Sequence, residues 1–66
     1  MMSEIFIGTS SVTGKRVYLP KVLIGGVMDI TNIHQELAQT EIITLLGYTI
    51  KVVEPASKVA EEIWGL

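Results

Sequence analysis

No cysteine occurs in the 66 residues, which excludes disulfide staples, and a single histidine, His34, leaves no Cys/His set for a structural zinc. Those are the usual supports of so short a chain, because a domain of about 60 residues buries only about 60% of the surface its unfolded chain exposes. The missing thiol also removes one common nucleophile, and no acid is placed in sequence to orient His34 as a base. The chain is therefore read as non-enzymatic, with no metal and no cofactor expected.

Long hydrophobic runs are missing as well. The longest uncharged apolar stretches, 22–28 and 42–50, are interrupted by glycine or threonine and fall well short of the roughly 20 residues that span a bilayer. Met1 to Gly8 carries no basic cluster ahead of an apolar one, so no secretory signal is expected, and a cytoplasmic location fits the lack of cysteine.

What the chain does hold is apolar side chain: 48% of its residues are hydrophobic and the mean hydropathy is +0.48. One small domain over 1–66 cannot hide that much, and for small scaffolds apolar burial at about 25 cal/mol per Å² roughly cancels the ordering cost of the chain. A second copy of the chain is the remaining support. The working form is expected to be a homo-oligomer.

Charge is sparse and uneven. The net charge is −2, without the concentrated positive charge of most nucleic-acid-binding domains. Residues 1–28 nevertheless set Glu4 against Lys15, Arg16 and Lys21, whereas 29–66 set Asp29, Glu36, Glu41, Glu54, Glu61 and Glu62 against Lys51 and Lys58. A basic first half and an acidic second half favour pairing of protomers or an anionic ligand on the basic half.

The patterning predicts a small α+β fold: a mixed sheet made of an N-terminal β-hairpin, 3–8 and 16–24, plus a strand at 48–54, packed with a helix at about 31–46 and a short C-terminal helix at 55–64. Ile5, Phe6 and Ile7 end at Gly8, and Thr13-Gly14-Lys15 makes a turn. Pro20 has no amide hydrogen, so the second strand is an edge, is bent, or stops at Leu19. Gly25-Gly26 closes it. From Asp29 to Gly47, helical spacing of Ile33, Leu37, Ala38, Ile42, Leu45 and Leu46 predicts a helix, with Asp29, Thr31 or Asn32 as cap, Asn32 and Gln35 in a capping-box relation, and Gly47 as its terminator. The β-branched run Glu41-Ile42-Ile43-Thr44 supports a competing arrangement, a shorter helix followed by strands 41–46 and 49–54 joined through Gly47-Tyr48. Tyr48 to Glu54 alternates cleanly, and Pro55 stands where a helix starts, ahead of Ala56, Val59, Ala60 and Ile63 on one face. So short a helix must dock, and Ile63 and Trp64 are the anchors it offers. With Tyr18 and Leu19 on the edge strand, they form the expected interface set.

Gly8 to Arg16 has the look of a phosphate-cradling loop, but five residues separate its glycines and Arg16 follows Lys15, so it is no P-loop. The amides of Thr9, Ser10 and Ser11 with Lys15 or Arg16 remain a looser anion site. Gly14-Lys15-Arg16-Val17-Tyr18-Leu19-Pro20-Lys21, a glycine, basic residues, alternating apolar positions and then Pro-Lys, resembles the strand of the AbrB/MazE-type swapped-hairpin DNA-binding proteins. That resemblance implies a dimeric regulator whose Lys15, Arg16 and Lys21 contact DNA phosphates. The leading expectation is a regulatory or interaction module that acts as a homo-oligomer and binds a partner protein or a small anionic ligand at a strand edge or inter-subunit groove. A DNA-binding regulator is the alternative.

Overall fold

Alternation along each strand decides what goes inside. In a computed structural model that describes residues 4–34 and 36–66, β1 (Ile5–Thr9) turns Phe6 and Gly8 inward and leaves Ile5 and Ile7 exposed. β2 (Arg16–Pro20) buries Leu19 and exposes Arg16 and Tyr18. A single 3₁₀ turn, Lys21–Leu23, leads into β3 (Ile24–Asp29), followed by β4 (Thr40–Thr44), β5 (Thr49–Val52) and α1 (Ala56–Trp64). The fold is α+β: an antiparallel hairpin β1-β2, an antiparallel meander β3-β4-β5 and one C-terminal helix.

The sheet is not mixed, as every strand pairing is antiparallel. There are two small sheets, and the chain just beyond β1 joins them. Ser10 bridges to Val52, with Ser11 N donating to Lys51 O at 3.0 Å and Val53 N donating to Thr9 O at 3.0 Å. The strand expected over 16–24 stops at Pro20, whose ring cannot continue a ladder, and Gly25-Gly26 lies inside β3 rather than closing a strand. A bulge falls between Ile24 and Gly26 as β3 runs along β4, a usual place for glycine in a strand. β5 covers 49–52 of the expected 48–54, and of the expected 3–8, Ser3 lies outside the described residues.

The helix expected over 31–46 is absent from the described residues of that segment. Its proposed caps do something else: Asp29 Oδ1 accepts from Thr31 N at 3.0 Å, and Asn32 Oδ1 accepts from His34 N at 2.9 Å. Both are Asx turns, in which the side chain satisfies the backbone locally without starting a helix. Gln35, the other half of the expected capping box, lies outside the described residues. The neck of this loop is shut by Thr31 Oγ1, which accepts from Gln39 N and donates to Gln39 O, and by Ile30 N donating to Gln39 O at 3.0 Å. Residues 40–44 then alternate with period two: Thr40, Ile42 and Thr44 are buried while Glu41 and Ile43 are less so. That is the competing strand reading, with one change. The β4-β5 loop is Leu45-Leu46-Gly47, not Gly47-Tyr48: Gly47 N donates to Thr44 O at 3.2 Å, Thr44 N to Tyr48 O at 3.0 Å, and Gly47 takes φ +94°. A turn closed by a left-handed residue is the ordinary three-residue hairpin.

α1 begins after Pro55 and stops at Gly65, which takes φ +71° and donates to Glu61 O at 2.8 Å. Among the described residues, each of the five strands and the helix contributes one buried apolar side chain to a common core: Phe6, Leu19, Ile24, Ile42, Val52 and Val59. Val17, Val27, Ile50 and Ile63 pack around them. Thr40 and Thr44, also buried, spend their hydroxyls on Glu54 O (2.6 Å) and Tyr48 O (2.9 Å), so neither enters the core unpaired. Ile42→Ala, which empties the centre of β4, is expected to cost about 2–5 kcal/mol in urea unfolding, whereas Ile33→Ala, 92% exposed in the loop, should leave the midpoint in place.

Candidate functional site

The hairpin carries most of the residues singled out above, and its loop is built by serine and glycine. Ser10 Oγ accepts from Val12 N and Thr13 N, each at 3.2 Å, and Ser10 O accepts from Gly14 N at 3.0 Å, making one helical turn. Gly14 ends it at φ +74°, where a side chain would be strained, and Thr13 Oγ1 accepts from Lys15 N. Lys15 O accepts from Ser10 N at 2.8 Å, closing the loop.

The backbone of the looser anion site is consequently engaged within the chain. Ser10 N and Ser11 N go to Lys15 O and Lys51 O, and Thr9 N donates to the Glu54 carboxylate, at 2.9 Å from Oε1. The hairpin thus binds an anion of its own beside Arg16. Burial pushes the Glu54 carboxyl up, but the hydrogen bonds from Thr9 and the positive charge of Arg16 outweigh it, and its pKa lies below the ordinary value. Gly8 makes room for this: a Cβ there would stand 2.8 Å from the Phe6 ring and 3.2 Å from Glu54 Oε1. Gly8, read from the sequence as a strand end, and Glu54, read as one charge of the acidic half, therefore set the local geometry. Nothing in residue spacing links Thr9 to Glu54, 45 residues further on. For an external anion the hairpin retains side chains, those of Lys15, Arg16 and Lys21.

Arg16 and Lys21 lie at opposite ends of β2 and line one open groove of about 400 Å³ with Ile5, Ile7 and Glu62. Tyr18 stands between them on the strand, 65% exposed and directly across from Ile7. The outer face of the hairpin is therefore an apolar centre of Ile5, Ile7 and Tyr18 with a cation at each end and one carboxylate from α1. Leu19, placed with Tyr18 in the expected interface, is a correction: one residue along a strand reverses the face, and Leu19 is covered by the core. Ile63 is half-buried against that core, whereas Trp64 is 46% exposed. A second groove, about 390 Å³, lies between the 36–39 segment and β5, walled by Leu37, Ala38 and Val53 with Ser11, Glu36 and Gln39.

His34 is exposed in a turn, and among the described residues no three His, Asp or Glu side chains converge as metal ligands. No described helix is long and apolar enough to cross a membrane. The stretch that resembles the swapped-hairpin proteins pairs with β1 of its own chain, and its Pro-Lys opens one 3₁₀ turn. Comparison with protein-family models, curated proteins and solved structures finds no match.

Because the folded pKa of Glu54 is lowered, its charge contributes stability above the unfolded value, about 4.3 for a glutamate, and that contribution is lost as the pH falls through the folded value. Glu54→Gln keeps an acceptor for Thr9 N but not the charge. It is expected to cost about 1 kcal/mol at pH 7 and to flatten the acid limb of a stability-pH curve. Identical curves for the two proteins would assign that limb to other groups.

Proposed function

We propose that the chain is a non-catalytic interaction module that acts as a homo-oligomer and uses its strand edge or an inter-subunit groove to bind a partner protein or a small anionic ligand. One observation carries this reading. Among the described residues six apolar side chains are buried, while fourteen large ones remain exposed, including the adjoining set Ile5, Ile7 and Tyr18 on the hairpin and Trp64 on α1. The exposed area is 4,696 Å², against about 4,100 Å² for a monomer of 7.2 kDa on the usual scaling. Apolar residues that adjoin on one sheet face, rimmed by charge, mark contact surfaces more often than bare solvent-facing ones.

A regulatory role belongs to the same proposal and is exercised through what the hairpin face binds. Anionic partners are favoured on the hairpin, where Lys15, Arg16 and Lys21 gather the positive charge of an otherwise acidic chain. Light scattering behind size exclusion tests the oligomer directly. The wild type is expected to run as a multiple of the 7.2 kDa chain. A wild type that is monomeric from micromolar to millimolar concentration removes the reading.

The shared groove of Arg16 and Lys21 supports a second reading, a nucleic-acid-binding regulator. Fluorescence anisotropy with duplex DNA decides it. Binding that weakens steeply with salt, and disappears when Lys15, Arg16 and Lys21 are all changed to alanine, supports it; no binding at low salt ends it.

A further inference from the structure

Among the described residues β2 has one neighbour in the sheet, β1, and no described strand covers its other edge. The phase of the ladder shows which backbone groups point there. Lys21 N donates to Glu4 O and Ser10 N to Lys15 O, so Leu19 and Val17, two and four residues back from Lys21, bond across to β1. Arg16, Tyr18 and Pro20 occupy the alternate pairs, and their backbone groups face outward. Two of the three carry an amide hydrogen; Pro20 carries none. An edge of this kind pairs with another strand unless something prevents it.

We propose that two copies of the chain pair antiparallel through β2 about a two-fold axis at Val17, with Arg16 of each copy opposite Tyr18 of the other. The inference rests on the homo-oligomer reading and specifies its contact. Four two-fold registers place the outward groups in bonding positions. Centring on Tyr18 or on Leu19 sets Pro20 against Arg16 or Tyr18 of the other copy, where the ring occupies the place of the missing hydrogen and blocks the carbonyl it faces. Centring on Arg16 sets two guanidinium groups directly opposite, which is repulsive, and needs Gly14, already held in the loop by Ser10. Centring on Val17 uses both available amides of each strand, Arg16 N to Tyr18 O and Tyr18 N to Arg16 O, four bonds in all, and leaves Pro20 outside the bonded pairs. It also lays each exposed guanidinium against an exposed tyrosine ring, a cation–π arrangement that repays the facing of two basic strands. The interface is isologous, as a closed dimer requires, and Pro20 becomes the residue that selects its register.

The absence of cysteine from the chain makes the register directly readable. Directly opposed residues in a bonded pair have Cα atoms about 5.5 Å apart, within the disulfide range, whereas diagonal neighbours at about 7–8 Å lie beyond it. Full-length Arg16→Cys and Tyr18→Cys chains, both altered at exposed positions, are mixed under a glutathione redox buffer and the disulfides identified by mass spectrometry. The mixed 16–18 disulfide is expected in several-fold excess over either like pair. A predominant 18–18 disulfide, or a statistical mixture, overturns the register. Light scattering on the wild type separates the two levels: a dimer without 16–18 linkage overturns the edge contact and leaves the oligomer reading standing, while a monomer overturns both.

Discussion

The short passage Thr9–Ser11, where the chain leaves one sheet and enters the other, is the constraint on which the rest depends. A two-stranded hairpin is marginal alone, and a three-stranded meander needs something against its apolar face. Hydrogen bonds from Ser11 to Lys51 and from Val53 to Thr9 tie the hairpin to β5 and its continuation, and the Glu54 carboxylate on Thr9 N adds a third bond at the join. Only with the two sheets held this way do Phe6 and Leu19 meet Ile42, Val52 and Val59 in one core.

That join also explains why the apparent phosphate loop is not one. Phosphate sites work by leaving several amide hydrogens unpaired toward a cavity. Here the corresponding amides are consumed in tying β1 to β5 and in closing the hairpin, and the anion supplied to Thr9 is the chain's own glutamate. With that segment structural, the proposed recognition falls to side chains on the outer face. There the alternation that sends Phe6 and Leu19 inward necessarily sends Ile5, Ile7, Tyr18 and Arg16 outward. The surplus of apolar residues is thus a consequence of a core with one buried apolar position per described element, and it collects on the hairpin because both of its strands have β-branched or aromatic residues on both faces.

Much of this was legible beforehand, and the reasons are local. Gly14 after Thr13 marks a left-handed turn whatever the tertiary context, Pro20 limits a strand by its own covalent structure, and Pro55 ahead of Ala56, Val59, Ala60 and Ile63 defines a helix start and its buried face. The β-strand at 49–52 follows from strict alternation. At the candidate site, the basic residues and Tyr18 were visible for the same reason, whereas Leu19 was assigned to the wrong face by a shift of one residue, the smallest error that a period of two permits.

Local chemistry alone therefore determined the hairpin turn, the end of β2, the α1 helix and the α+β class, since each depends on dihedral preferences or periodicity within a few residues. Tertiary structure decided the segment from Asp29 to Thr44. Its apolar spacing suits a helix and its β-branched residues suit a strand, and Asp29 and Asn32 can cap either a helix or a turn. The balance tips only because β3 and β5 flank β4 and supply backbone partners on both edges, while Glu54 O and Tyr48 O accept the hydroxyls of Thr40 and Thr44. Those acceptors are four to fourteen residues away from the threonines, and β3 and β5 meet β4 at separations from six residues (Ile43 to Thr49) to twenty (Ile24 to Thr44), so the deciding energies appear only when the chain has already come together.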